Sequence, residues 1–223
     1  MGMRTFLLQT DQMLRGTGAF AAVQGGLPAQ RVLPLIVLSF GPLYGAVMGS
    51  FHLDAPERLL MMLYSGLKVP LLLFSTALIC LPGFFVLNTV LGLRDDLREA
   101  LRAIVAGQAA LSVVLASLAP LTRFWYFSCE SYRAALLFNA GVFAVAAVAG
   151  QLVIYRYYRP LIRRNRNHRV MLGAWFVLYA FVGIQTAWML RPFIGTPELR
   201  VSFFREGSFT NAYVVVAGLL TGY

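Results

Sequence analysis

The sequence predicts an all-α integral membrane protein, a polytopic bundle of about five transmembrane helices. Of its 223 residues, 59% are hydrophobic and only 13% are charged, and the mean hydropathy is +0.70. A soluble globular protein carries about 25% charged residues, so this chain has roughly half the charge that a water-facing surface needs. Several apolar runs reach about 20 residues, which is the length of a helix that crosses a hydrocarbon core of about 30 Å.

The chain divides into three predicted parts. Residues 1–30 mix apolar and polar positions, and Phe6, Leu7, Met13 and Leu14 fit one helical face, which predicts an amphipathic helix lying at the membrane interface. Residues 31–190 form the transmembrane bundle. Residues 191–223 form an extracytoplasmic loop and a C-terminal partial helix, because the apolar stretch 211–223 makes only about 20 Å of helix.

The spans are bounded by charged, aromatic and proline-containing stretches. We predict spans at 32–53, 67–93, 103–121, 134–155 and 170–190. A connector at 54–66, predicted as a surface helix that begins after Asp54, joins the first two spans, and the aromatic stretch TRFWYFSCESYR joins the third and fourth. A basic loop, residues 156–169, precedes the fifth span, and Lys68 is expected to snorkel from the start of the second.

The net charge of +10 reflects membrane orientation and is not read as nucleic-acid binding. Most of the 19 lysine and arginine residues fall in predicted loops on the same side as the N-terminus. Cytoplasmic loops carry an excess of basic residues, so the pattern predicts a cytoplasmic N-terminus.

A glycine stripe is the first candidate contact surface. The segment GPLYGAVMG places Gly41, Gly45 and Gly49 four residues apart on one face of the first span. Small residues let two helix backbones approach closely in a membrane. The stripe predicts either packing within the bundle or a seam between two copies of the chain.

Amide side chains are the second feature of the spans. We predict that Asn88, Asn139 and Gln185 bond across helices or to a partner protein, and Gln108 and Gln151 have the same chemistry. An alternative function is a small-solute transporter or channel whose pathway these amides line. Because none of the predicted spans contains an Asp or Glu, the sequence argues against proton-coupled transport.

The basic loop is a candidate binding surface for anionic lipid headgroups or an acidic partner. Its arginines contribute about 1 kcal/mol each near a negatively charged membrane surface. The residues assigned to this surface are Arg159, Arg163, Arg164, Arg166 and Arg169. The alternative is that they serve only to orient the spans.

The end of the fifth span predicts a membrane anchor. Trp188 and Arg191 lie one turn apart at this end, where an interfacial ring and a snorkelling guanidinium are both expected. Pro192 disfavours helical geometry at Arg191 and so marks the end of the helix.

Enzymatic motifs are sparse. His52, Asp54 and Glu57 form the one group that would suit a membrane enzyme acting on lipid, but helix capping by Asp54 explains it better. The two cysteines, Cys80 and Cys129, form no CxxC pair. We therefore predict no catalytic residues, no metal site and no cofactor.

The motifs LYGAVMGS, LKVPLLL, LPGFFVLNTVLG and, above all, GIQTAWMLRPFIG resemble a widespread family of bacterial multi-span membrane proteins. The resemblance covers most of the chain from Gly41 onward. It implies an all-helical fold and the bacterial inner (cytoplasmic) membrane, and it supplies no activity or cofactor. The LYG element also has a weaker likeness to Yip-type membrane proteins, although the acidic residue that precedes LYG in those proteins is missing.

These features favour a non-enzymatic structural or accessory subunit of a membrane complex. Abundant packing features occur in spans that contain no acidic residue. The expected partners are anionic membrane lipids and other membrane protein subunits or a second copy of the chain, with no nucleic acid.

Overall fold

The computed structural model of the protein describes residues 3–16, 27–51, 59–193, 203–204 and 210–214. These residues are almost entirely helical and contain no strand, which confirms the all-α fold class. The helices are Met3–Arg15 (α1), Leu27–Met48 (α2), Leu59–Val90 (α3), Leu97–Ser128 (α4), Tyr132–Arg164 (α5) and Asn167–Leu190 (α6), with a 3₁₀ turn at Arg94–Asp96 before α4.

Four stretches in the described residues are long and apolar enough to cross a membrane: Leu59–Val90, Arg94–Ser128, Tyr132–Arg164 and Asn167–Leu190. They correspond to the last four predicted spans. The first predicted span corresponds to α2, whose apolar part, Val32–Met48, is shorter than the other four.

Two helices extend beyond the predicted ends of their spans, which corrects the boundaries of those spans. Helix α3 already begins at Leu59, so the described part of the predicted connector at 54–66 belongs to it. Helix α5 continues through Pro160 to Arg164, so most of the basic loop is helical. The helix persists beyond the predicted end of the span because Tyr158 and Leu161 are buried in a core shared with α6.

The aromatic stretch between the third and fourth spans is also mostly helical. Helix α4 runs to Ser128, and only residues 129–131 lie between it and α5. The hydroxyl of Ser131 accepts a hydrogen bond from the backbone N–H of Ala134, so Ser131 caps the start of α5.

Helix α4 packs against both α2 and α5, and α3 packs against both α2 and α6. The bundle closes where α6 meets α5. We call the end that holds the α3–α4 and α5–α6 connections the basic end. The opposite end, where α2 and α6 terminate and α4 connects to α5, is the aromatic end.

Helix α1 packs Phe6, Met13 and Leu14 against the bundle, whereas Leu7, which was predicted to share their face, is exposed. Met13 is buried in the core, and the ring of Phe6 stacks on Phe40 of α2 with centroids 6.0 Å apart. The hydroxyl of Tyr157 on α5 donates to the backbone carbonyl of Met13. These contacts fix α1 on the wall of the bundle.

Candidate functional site

The glycine stripe of α2 lies against α3. A Cβ atom added to Gly45 would lie 2.7 Å from Cα of Gly66, and one added to Gly49 would lie 2.6 Å from the carbonyl oxygen of Met61. At Gly41 the neighbour is Pro70, at an ordinary contact distance. The stripe is therefore used for helix packing within the chain, and this face of α2 is covered by α3.

A similar close contact joins α4 to α5, at glycines that the sequence analysis did not single out. A Cβ atom on Gly150 would lie 2.9 Å from the carbonyl oxygen of Gly107. The signal was weak because each helix contributes a single glycine at this contact.

Two buried side chains and one half-buried side chain form what we call the tyrosine–amide network at the aromatic end. The hydroxyl of Tyr44 on α2 donates to Oδ1 of Asn139 on α5, at 2.9 Å. The Nδ2 of Asn139 donates to the hydroxyl of Tyr126 on α4 at 2.7 Å and to the backbone carbonyl of Ala135. The Tyr126 hydroxyl in turn donates to the carbonyl of Met48. One amide thus links three helices.

Arg123 and a group of aromatic rings surround this network. The guanidinium of Arg123 donates to both the backbone carbonyl and the hydroxyl of Ser50, and it lies 4.5 Å from the ring centroid of Phe127. Phe51, Tyr126, Tyr132 and Phe193 pack together with ring centroids between 5.1 and 6.4 Å apart. These contacts tie the ends of α2, α4 and α6 to the start of α5.

The other amides lie elsewhere in the fold. Gln108 on α4 accepts a hydrogen bond from the hydroxyl of Tyr179 on α6 at 2.8 Å. Asn88 is buried near the last turn of α3 at the basic end, whereas Asn139 and Gln185 lie towards the aromatic end. The three amides assigned to a transport pathway are therefore distributed between the two ends of the bundle.

Gln185 binds the C-terminal segment through what we call the C-terminal dock. Its Nε2 donates to the carbonyl of Thr210 at 3.1 Å, and its Oε1 accepts from the N–H of Ala212 at 2.9 Å. The ring of Tyr213 stacks on Phe181 with centroids 4.6 Å apart, and burial raises the pKa of the Tyr213 phenol above its ordinary value. We expected Gln185 to bond a neighbouring helix, and it bonds this segment.

Trp188 and Arg191 lie together at the end of α6. The guanidinium of Arg191 lies 4.3 Å from the ring centroid of Trp188, a cation–π contact. The indole N–H of Trp188 donates to the hydroxyl of Thr210. Helix α6 ends at Leu190, and Arg191 has a left-handed backbone with φ of 38°, so the helix ends where Pro192 predicts.

Lys68 is buried, which contradicts the prediction that it snorkels. Its side chain has 0% exposure, and its ammonium lies 5.0 Å from the ring centroid of Phe203. The prediction was wrong because α3 begins at Leu59 and so places Lys68 more than two turns inside the helix.

A charged cluster joins three elements at the basic end. The Nη1 of Arg164 lies 3.2 Å from Oδ1 of Asp96 and 2.9 Å from Oε2 of Glu99. The Nε2 of buried His168 lies 3.0 Å from the other oxygen of Asp96. The cluster fixes the 3₁₀ turn and the starts of α4 and α6 to the end of α5.

The other four arginines assigned to the basic surface point outward. Arg159, Arg163, Arg166 and Arg169 are all exposed, and none of them forms an ion pair with the residues that the structure describes. Arg164 differs from them because the acidic residues before α4 hold it.

Some residues discussed in the sequence, among them a group for which helix capping was the favoured explanation, lie outside the described residues. These residues are His52, Asp54 and Glu57, together with most of the predicted C-terminal partial helix. Among the described residues, no group of three or more His, Cys, Asp or Glu side chains is placed to hold a metal ion.

Comparison with protein-family models, with curated proteins and with solved structures found no match to this chain. The fold itself defines the class: the chain is a polytopic α-helical membrane protein with a basic end and an aromatic end.

Proposed function

We propose that the protein is a non-enzymatic structural or accessory subunit of a membrane complex. It packs against partner membrane proteins, and its basic end binds anionic lipid headgroups. Its membrane is the bacterial inner membrane, with the N-terminus on the cytoplasmic side.

The observation that carries the proposal is the contrast among the arginines at the junction of α5 and α6. Arg164 is bound by Asp96 and Glu99, whereas Arg159, Arg163, Arg166 and Arg169 are exposed. Four adjacent guanidiniums without an internal counter-ion in the described chain repel one another, and phosphate groups relieve this repulsion through bidentate hydrogen bonds. Such clusters next to membrane spans bind anionic headgroups.

The polar groups of the spans support a structural role. Tyr44, Asn139 and Tyr126 satisfy one another, and Gln108 pairs with Tyr179. Interhelical bonds of this kind hold membrane bundles together because lipid provides no hydrophobic drive for association. The outward faces of α5 and α6 are apolar, with exposed side chains such as Leu137 and Val177, and contact lipid or partner helices.

Lipid retention tests the proposal. The wild type and a quadruple variant, Arg159, Arg163, Arg166 and Arg169→Gln, are placed in nanodiscs containing equal amounts of phosphatidylglycerol and phosphatidylcholine. Mass spectrometry then measures the ratio of the two lipids retained after detergent extraction. The wild type should retain more phosphatidylglycerol than phosphatidylcholine. In the variant the ratio of the two retained lipids should fall at least about fivefold, since each arginine near the surface contributes about 1 kcal/mol.

A matched pair of single variants controls for charge alone. Arg166 at the basic end and Arg133 at the aromatic end are both exposed, and each can be changed to Gln. Arg166→Gln should reduce the preference and Arg133→Gln should leave it nearly unchanged. Equal effects of the two variants, or an unchanged preference in the quadruple variant, would exclude a headgroup site at the basic end.

A further inference from the structure

Four polar side chains at the basic end are buried and leave hydrogen-bonding atoms without a partner among the described residues. The exposed fraction is 0% for Asn88 and His168 and 1% for Tyr158 and Trp175. The atoms concerned are both side-chain polar atoms of Asn88, the hydroxyl of Tyr158, Nδ1 of His168 and Nε1 of Trp175. We call these four residues the Asn88 cluster.

The packing of α3 against α6 brings the cluster together. The ring of Phe84 on α3 meets Trp175 on α6 edge to face with centroids 5.4 Å apart. Nearer the basic end, the side-chain amide of Asn167 donates to the carbonyl of Leu91. Since Asn88 lies one turn from Phe84 on the same face, it falls between these two contacts and faces the α6 turns that separate His168 from Trp175.

Helix α5 supplies the fourth member. The rings of Tyr158 and His168 meet edge to face with centroids 5.6 Å apart. Tyr158 and Trp175 belong to the same buried apolar core at this end. The unpaired polar atoms of the cluster are therefore buried in or beside this apolar core.

Such an arrangement is costly unless something bonds to it. A buried polar group without a partner destabilises a fold, because it has lost its hydrogen bonds to water and gained none in return. At two other positions in the bundle, the buried amides of Asn139 and Gln108 have direct partners. Apolar residues of similar size would pack as well at the four positions of the cluster, so the polar side chains indicate a bound group.

The chemistry of the cluster limits that group to one that both donates and accepts hydrogen bonds. Asp96 accepts from Nε2 of His168, so Nδ1 of this ring accepts a hydrogen bond in the neutral form and donates one in the charged form. Asn88 and Tyr158 can donate and accept, and Trp175 only donates. The neighbouring charges of Asp96 and Arg164 are already paired, so the cluster offers no free charge to a charged ligand.

We propose that the Asn88 cluster is a binding site for hydroxyl groups, supplied by buried water or by a small hydroxylated molecule. The hydroxyl groups lie between α3, α5 and α6 and complete the hydrogen bonds that the protein leaves open there. At least two of them are needed for the five unpaired atoms, since a buried water makes about three hydrogen bonds.

Removal of a single hydroxyl from the protein tests the proposal. Tyr158→Phe is compared with Tyr179→Phe, because the buried hydroxyl of Tyr179 has a direct partner in Gln108. If a bound hydroxyl group bonds to Tyr158, both variants should lower the thermal midpoint in detergent by about 2–4 °C. An unchanged or raised midpoint for Tyr158→Phe, beside a lowered one for Tyr179→Phe, would overturn the proposal.

A second variant tests the proposal independently, through the direction in which it shifts the thermal midpoint. Asn88→Leu keeps the approximate volume of the side chain and removes both of its polar atoms. In an empty cluster this change relieves two unpaired groups and should raise the midpoint. In an occupied cluster it breaks their bonds and should lower the midpoint, so a raised midpoint would contradict the site.

If both variants lower the thermal midpoint, native mass spectrometry distinguishes buried water from a small hydroxylated molecule as the source of the hydroxyl group. A small molecule retained by the wild type and lost from Asn88→Leu identifies a hydroxylated ligand. Loss of stability without any retained mass identifies water.

Discussion

Asn139 links α2, α4 and α5 through a single amide group. Its side-chain oxygen accepts a hydrogen bond from Tyr44 and its side-chain nitrogen donates one to Tyr126, so both polar atoms of the amide are bonded. Sequence analysis identified the amide but missed the two tyrosines. Tyr44 stands beside the glycine stripe, and Tyr126 lies in an aromatic stretch that predicts a headgroup boundary, so neither position alone indicated a hydrogen bond inside the bundle.

A first prediction concerns a single group of this network, the hydroxyl of Tyr44. Tyr44→Phe leaves Oδ1 of Asn139 without its donor, so the free energy of unfolding in detergent should fall by about 1 kcal/mol. Tyr155→Phe is the control, because this ring is 48% exposed on α5 and its hydroxyl forms no bond among the described residues. Equal stability of the two variants, measured by unfolding in mixed detergent, would show that the network contributes nothing.

Residues far apart in sequence also form the charged cluster. Arg164 lies 68 residues from Asp96 and 65 from Glu99 along the chain. Sequence analysis assigned Arg164 to the lipid-facing surface with its neighbours, since spacing alone cannot show which of several adjacent arginines faces an acidic turn on another helix.

Among the helices, α2 and α3 approach each other so closely that their backbones are in contact. The glycine stripe was predicted as a contact surface, and a second copy of the chain was one of its expected partners. Because α3 covers the stripe, the surface serves the single chain. A sequence pattern of small residues identifies a close contact but not the helix that makes it.

Replacement of a glycine by leucine, once at the α2–α3 contact and once at a control position on α5, tests this assignment. Gly45→Leu forces α2 away from Ser65 and Gly66, so the variant should lose most of its folded yield. Gly141→Leu on α5 is the control, since a Cβ atom there meets nothing within 4 Å. The yield is measured by size-exclusion chromatography of a fluorescent fusion, and a normal yield for Gly45→Leu would contradict the contact.

The C-terminal segment is held to α6 by polar contacts. Gln185 makes two bonds to the backbone at Thr210 and Ala212, and its loss should release this part of the chain. Gln185→Leu should therefore increase hydrogen exchange at the amide of Ala212 by at least about tenfold, a change that corresponds to roughly 1.4 kcal/mol. Ile184→Ala, at an exposed neighbouring position, should leave the exchange rate unchanged.

The predicted orientation of the whole molecule in the membrane can be tested by labelling its cysteines. Cys129 is half-buried at the α4–α5 connection, whereas Cys80 is buried within α3. With a cytoplasmic N-terminus, the α4–α5 connection lies outside, so an impermeant maleimide should label Cys129 in right-side-out vesicles and fail to label it in sealed inside-out vesicles. Cys129→Ser should remove the signal, and the reverse labelling pattern would invert the topology.

Hydropathy and length predicted the helical bundle and the last four spans, because the cost of exposing backbone polar groups to lipid leaves few other solutions. The ends of the helices were predicted less well. The start of α3 at Leu59 and the extension of α5 to Arg164 depend on tertiary packing against neighbouring helices, which local composition does not show.

Gentle purification of the protein from native membranes, followed by mass spectrometry of the bound proteins and lipids, tests the central claim most directly. A structural subunit should retain a partner membrane protein in a fixed ratio, together with anionic lipids enriched over the bulk membrane. Recovery of the stable chain alone, with the lipid composition of the bulk membrane, would contradict the proposed function.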